Sequence, residues 1–483
     1  MANNPAAPLW GFFITALEYF RMVNLYNKSR RVLSVFSLIM INVIAVDSLR
    51  TLPFSAVYGF GLVFYYLLAA LLFFIPTMLV TAELATGWPN TGGVYVWVRE
   101  AFGLPWAFLT IWLQWIYNVV WFPTIFSLIA VTLAYLIDPS LAQNKGYIFS
   151  MILVLFWGIT LINCLGMRAS SFISTIGAIV GTLLPMLFII LLGISWLMLG
   201  KPSQIHFTLK EFFPDLKNLS NLALLVAVIF GLMGMEMSAV HAEEVRKPER
   251  DYPIALGISG ILILLTLILS SLAIAIVVPH QQLNIISGLL DAFALFFKAY
   301  HLDKFFPIIL ILIAIGSLSC AAAWLIGPAK GLLVAIQDQK LFPKAHALNS
   351  RGAPAKLFFI QGIISTVLCS LFLLVPSVNS FYWVLTVLTG QLAMIFYILL
   401  FAAAIRLHYK KPHVARSFRI PGGKLGMWLV SGSGMLICLF TLLVGFMPPS
   451  QVAVGNVMVY ETILIVGILL FCAPPLLLRK RLT

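Results

Sequence analysis

Charge is scarce in this sequence. Of its 483 residues only 10% are Asp, Glu, Lys or Arg, and 61% are hydrophobic. A soluble globular domain carries roughly a quarter charged residues, so a soluble fold is excluded and no stretch remains for a sizeable soluble domain. Cysteine is sparse too. The five cysteines (164, 320, 369, 438 and 472) each sit inside an apolar segment, with no pair at metal-ligand spacing. That excludes a disulfide framework and gives no metal site; they read as reduced, helix-packing residues. Catalytic signatures are missing: there is no HExxH, GxSxG, GxxxxGK[ST] or CxxC. No enzyme activity and no cofactor is expected. Acidic residues number 16 against 30 Lys and Arg, a net charge of +14. The basic residues lie in short loops and are not clustered with stacking aromatics, so a nucleic-acid partner is not expected.

Long uncharged runs are abundant. Twelve spans, each able to cross roughly 30 Å of hydrocarbon, run over about 33–55, 60–83, 104–134, 147–166, 172–199, 222–242, 254–278, 305–333, 356–376, 380–406, 426–446 and 457–478. The lipid bilayer is thus the first expected partner. An even number of spans puts both termini on one side. With that side taken as inner, 23 of the 30 basic residues fall inside and 7 outside. The asymmetry follows the positive-inside rule and predicts cytoplasmic termini. Residues 1–30 form a separate N-terminal segment. It lacks a signal peptide's basic start and small-residue cleavage site. Residues 1–28 read either as a helix on the membrane surface or as an extension outside the fold. Residues 31–483 read as a single membrane domain. The loop at 200–221 and the longer one at 280–304, with room for a short surface helix, lie outside.

Two spans carry features that a lipid-facing helix should not. The first holds Asp47 within INVIAVDSLR, and the sixth reads VIFGLMGMEMSA, with Gly231 and Gly234 beside Glu236. A carboxylate inside a span costs several kcal/mol unless paired or wet. Irregular backbone at that depth is tolerated only where it is buried in protein or lines a cavity. Each span opens a possible five-span unit, about 33–200 and 222–406, and interrupted helices at matching places in two halves point to a transport site near the midplane. Asp47 reads as a receiver for a polar solute or a proton, or as the partner of Arg50 one turn later. In the glycine stretch, exposed amides and carbonyls suit the two ends of a zwitterion. The alternative is close helix packing at the glycines, with Glu236 in a structural network.

Other polar groups are secondary candidates. Glu83, in AELAT at the inner end of span two, reads as a pairing partner at the inner face. Gln114, Tyr117 and Asn118 lie at helical spacing in span three, and Ser317, Ser319, Cys320 and Trp324 lie in span eight. These are a pool for cavity walls, with interhelical hydrogen bonding as the alternative. The charged run from His241 to Asp251 reads as a solvated cap, with an ion-paired gate as its functional alternative.

Several stretches together carry a resemblance. AEEVRKPERDYP preceded by FGLMGMEMSA, FFIPTMLVTAELAT (73–86), NTGGVYVWVREAFG (90–103), AAWLIGPAKGLLVAIQDQKLFP (322–343), NSRGAP (349–354) and SFRIPGG (417–423) occur in this order. The chain resembles the amino acid–polyamine–organocation superfamily of permeases, and within it the bacterial glutamate/γ-aminobutyrate antiporters. The resemblance spans about residues 30–478. It implies an all-α membrane protein of twelve helices, a five-plus-five inverted repeat with helices one and six broken, and two extra helices over about 426–478. It further implies a bacterial inner-membrane exchanger of an amino acid for another or for its decarboxylated amine. By position the site would comprise Ala45, Val46, Asp47 and Ser48 at one break and Gly231, Leu232, Met233, Gly234 and Glu236 at the other. Walls would come from helices three, eight and ten, with Tyr117 and Trp324 as candidates. Asp47, Glu236, Glu83 and His241 are the candidates for proton handling or gating. A proton-coupled amino acid symporter is the alternative function.

Overall fold

The computed structural model describes residues 33–90, 92–164, 177–213, 225–339, 348–349, 353–370, 377–448 and 454–482. The expected N-terminal segment and half of the inner loop at 334–355 lie outside the described residues. Those residues form helices and connecting turns, with no strand among them beyond one isolated bridge between Leu33 and Val245.

In chain order the helices are α1 (Val35–Val46), α2 (Leu52–Ala56), α3 (Gly59–Gly87) and α4 (Val94–Phe102). Next come α5 (Leu104–Ile137), α6 (Lys145–Asn163), α7 (Leu184–Met198) and α8 (Leu225–Gly231). They are followed by α9 (Pro248–Val277), α10 (Gly288–Ala299), α11 (Phe306–Asp338) and α12 (Ala355–Ser370). The chain closes with α13 (Val378–Lys410), α14 (Gly423–Val444) and α15 (Val457–Leu482).

Ten helical runs among the described residues are long and apolar enough to cross a membrane. The other two expected spans fall short of that length for different reasons. Helix α12 is apolar, but residues 371–376 lie outside the described residues. The sixth span is not one helix: α8 ends at Gly231, and helical turns resume only at Met237–Glu244. The first span is likewise interrupted. Helix α1 stops at Asp47, whose ψ of 82° leaves the helical range, and a short 3-10 turn at Leu49–Thr51 leads into α2.

Helix α5 packs against both α11 and α13 at the centre of the bundle, and α9 backs α1. Large apolar side chains such as Leu71, Val154, Ile261 and Leu436 point outward and are exposed. In water such a surface would aggregate; against lipid tails it is the solvated face. Polar side chains face inward instead. Asn42 Nδ2 donates to Ser259 Oγ at 3.1 Å and ties α1 to α9.

Two local devices keep the central helices together. Pro123 lies inside α5 and has no N–H for the carbonyl of Val119 four residues back. The Ser365 hydroxyl of α12 donates to that carbonyl at 3.2 Å, so the freed acceptor becomes an interhelical tie. Before α7, a wide turn at Gly177–Leu183 lies directly on α11. A Cβ on Gly181 would overlap the backbone of Gly316, and one on Gly316 would overlap Gly181. Only glycine allows this backbone-to-backbone approach.

Gly316→Leu should therefore force the two segments apart and cost about 1–3 kcal/mol, as overpacking does. Gly257→Ala, on α9 with nothing within 4 Å of its new Cβ, should leave stability nearly unchanged. Thermal melting of the purified protein in detergent compares the two.

Candidate functional site: a cavity between two interrupted helices

The two interruptions face each other in the middle of the bundle. Gly234 has φ of +119°, a conformation L side chains rarely adopt, and a Cβ there would lie 3.0 Å from Trp324 Cζ2 and 3.2 Å from the Ala45 carbonyl. The position needs glycine for both reasons. The groups left without helical partners are supplied from other helices. The Trp324 indole N–H of α11 donates to the Ala45 carbonyl at 2.9 Å. The Gly234 N–H donates to the Tyr397 hydroxyl of α13 at 2.9 Å, and that hydroxyl donates to Glu236 Oε2 at 2.7 Å.

Between these elements is a tight cavity of ≈ 30 Å³, room for roughly one or two waters. Of the residues singled out from sequence, it is lined by Ala45, Val46, Ser48, Tyr117, Gly231, Met233 and Trp324. Asn118 and Cys320, from the wider pool of wall candidates, line it too, and Arg50, Thr51, Trp121, Phe230 and Thr389 complete the lining. Tyr117 and Trp121 place their rings edge-on or tilted to Trp324, with centroids 6.2 and 6.1 Å away, and form an aromatic wall.

Asp47, Leu232, Gly234 and Glu236 are beside the cavity but do not line it. Asp47 turns outward from it, and its Oδ2 accepts from Thr266 Oγ1 of α9 at 2.8 Å. Its partner is therefore not Arg50, because the backbone leaves helical geometry between the two and the one-turn spacing no longer brings their side chains together. Glu236 is fully buried and is held by Tyr397. Arg50 points the other way, into the cavity. It is buried, stacked over Phe230 at 4.8 Å and Tyr382 at 5.6 Å, and hydrogen-bonded only at length, to Tyr382 at 3.4 Å and Thr386 at 3.3 Å.

In the sequence Arg50 stands only as a partner for Asp47, and nothing there marks Thr389 or Tyr397. A charge inside a span was the available signal for Arg50. The hydroxyls of α13 gave none, since Thr and Tyr are ordinary in a buried helix.

Glu83 does not reach the cavity lining. Glu83 lies at the end of the bundle that carries the basic loops, in a buried pair with Arg416. It also accepts the Ile420 N–H at 2.8 Å, and Arg416 donates to the carbonyls of Leu407 and Lys411. The backbone of His241 falls in the turn Met237–Glu244, and its side chain lies outside the described residues. Around Glu83 the same face carries Arg99–Asp338 at 2.7 Å, Lys330–Glu244 at 2.5 Å and Lys411–Glu100. The Lys411 ammonium holds the Glu100 carboxyl below its usual range. These pairs join α4, α11 and the segment after α13 across the end of the bundle.

The profile of the amino acid permease family matches residues 31–469. The chain belongs to the amino acid permease family. This is a family of transporters and not of enzymes. Among permeases of known sequence, an uncharacterized transporter of Legionella pneumophila is 54% identical over 455 residues, covering 94% of this chain and 98% of that one. A glutamate/gamma-aminobutyrate antiporter of Lactococcus lactis is 29% identical over 459 residues, covering 94% and 91%. The fold is shared with MhsT, solved in complex with L-phenylalanine. The TM-score is 0.60 at 17% identity, with 85% of this chain and 98% of that one covered. The permease is thus a multi-pass helical membrane protein of the LeuT-type fold.

Burial sets the energetics of the Glu83–Arg416 pair. Removing one partner from a buried pair leaves the other charge uncompensated, at a cost of about 3–5 kcal/mol. Glu83→Ala and Arg416→Ala should each lower the melting temperature strongly, and the double variant should lose clearly less than the sum of the two. Melting curves of the four proteins close that cycle.

Proposed function

We propose that this permease is an amino acid antiporter working by alternating access, and that the cavity between the two interruptions is its substrate site. One observation carries the reading: both interruptions open onto the same cavity, and Trp324 is hydrogen-bonded to one and packed against the other. Non-helical backbone buried there presents amide and carbonyl dipoles to a zwitterion at a depth where water supplies none. Ala45, Val46, Ser48, Gly231 and Met233 contribute the backbone-rich part, and Tyr117 and Trp324 the aromatic wall. Gly234 shapes the site, while Asp47 and Glu236 act behind it. The cavity is too small for an amino acid as it stands, so binding requires the walls to move. That matches a cycle in which the site opens to one side at a time.

The basic loops support cytoplasmic termini, and the bacterial relatives support placement in a bacterial inner membrane. The names of the Lactococcus relatives make an acidic amino acid and its decarboxylation product the first exchange pair to test. The ion pairs Glu83–Arg416, Arg99–Asp338 and Lys411–Glu100 serve as the inner closure in this scheme. The second reading is proton-coupled symport. It draws on Glu236, a buried carboxyl in hydrogen-bond contact with both Tyr397 and the interrupted backbone.

Counterflow in proteoliposomes separates the two. An antiporter takes up labelled glutamate only into vesicles loaded with unlabelled substrate, whereas a symporter fills empty vesicles when an inward proton gradient is imposed. Uptake into empty vesicles driven by the gradient alone would replace the first reading with the second. Glu236→Gln removes the charge but keeps the hydrogen-bonding shape. It should reduce transport roughly tenfold or more while insertion and folding, followed by expression and melting temperature, stay intact.

A further inference from the structure

Arg50 carries a charge that nothing in the described protein answers. Its side chain is buried at 2% exposure. No carboxylate of the described residues lies within ion-pair distance of it, and its Nε has no hydrogen-bond partner among them. The nearest acid in sequence, Asp47, is held by Thr266 on the far side of α1, and Glu236 is held by Tyr397. A buried ion without a counter-ion costs several kcal/mol, so buried charges are normally paired. Arg50 lines the substrate cavity, and the cavity is where a partner can enter.

We propose that Arg50 is the receptor for the side-chain carboxylate of an acidic substrate. This rests on the reading of the cavity as the amino acid site. The guanidinium is a planar fork suited to holding a carboxylate by two parallel hydrogen bonds. Its plane is steadied by Phe230 and Tyr382, and its only hydrogen bonds among the described residues are the long ones to Tyr382 and Thr386. These are weak enough to give way to an anion.

Chemistry selects which carboxylate. Decarboxylating an acidic amino acid removes the α-carboxylate and leaves the amine and the side-chain carboxylate. A site that takes both members of such a pair must grip what they share. Arg50 on the side-chain carboxylate does this, whereas Arg50 on the α-carboxylate would lose the decarboxylated partner. Cys320 and Thr389, uncharged and beside it in the lining, leave the guanidinium as the cavity's one formal charge among the described residues.

The test is binding to the purified, full-length protein, followed through the fluorescence of Trp121 and Trp324 in the cavity wall, with glutamate, γ-aminobutyrate and glutamine as ligands. Glutamine keeps the amine and the α-carboxylate of glutamate but has no side-chain charge. In Arg50→Gln the affinities for glutamate and γ-aminobutyrate should fall together, so that the preference for glutamate over glutamine drops roughly 10- to 100-fold. Arg50→Lys keeps the charge and loses the fork; it should show the same pattern with a smaller loss, and it serves if Arg50→Gln fails to fold.

Loss of glutamate and glutamine with γ-aminobutyrate spared would place Arg50 on the α-carboxylate and overturn the proposal. Equal effects on all three ligands, or none, would overturn it as well. A wild-type protein that binds amino acids but takes glutamine as readily as glutamate defeats the Arg50 assignment alone. One that binds none of a wider amino acid panel defeats the reading of the cavity beneath it.

Discussion

In the hydrocarbon layer every backbone amide and carbonyl must find a partner within the protein. An interrupted helix therefore exists only where its neighbours have been built to complete it. Here the completion is specific. An indole from α11 takes the Ala45 carbonyl and a phenol from α13 takes the Gly234 amide, and the same two helices frame the cavity with α5. Trp324 and Tyr397 thus stand where the breaks need them, and Trp324 is also part of the cavity wall. Because Tyr397 is also the partner of Glu236, a change in that carboxyl acts directly on the backbone of the second interruption.

The surrounding fold spreads its polar contacts according to the same constraint. At mid-depth they are single and directional, such as Asn42–Ser259, Asp47–Thr266 and Ser365 on the carbonyl freed by Pro123. At the basic-loop end they become full ion pairs, where Lys410, Lys411 and Arg416 reach back onto the helix ends. Full charges are affordable near water and costly at the centre. At the centre Asp47 and Glu236 are each held by a hydroxyl while Arg50 faces the cavity, and that is why Arg50 draws a functional reading while the larger charged network at the end draws a structural one.

Much of this was legible in the sequence, for reasons that can be named. Hydrophobic run length set the helical membrane class, because the bilayer imposes a length that composition cannot disguise. The glycines at 231 and 234 and the acid at 47 marked where helices stop, because each is disfavoured in a plain span. What was not legible depends on direction and distance. Asp47 and Arg50 have the spacing of an ion pair on a helix, yet the backbone between them is not helical, so one faces α9 and the other the cavity. Glu83 announced a partner without revealing it, since Arg416 lies far along the chain in a loop whose return to α3 no local pattern encodes. Thr389 and Tyr397 look like any polar residues of a buried helix, and only the fold brings them to the site.

The bridge at Leu33 has a mechanical consequence. Its carbonyl accepts the Arg246 amide at 3.1 Å and its own amide donates to the Glu244 carbonyl at 2.9 Å. The chain entering the first interrupted helix is thereby stitched to the chain leaving the second. Two segments that sequence places far apart share one handle, so a displacement of either end is handed to the other. The two interrupted helices are therefore anchored to each other through backbone alone, a tie that no side-chain substitution removes.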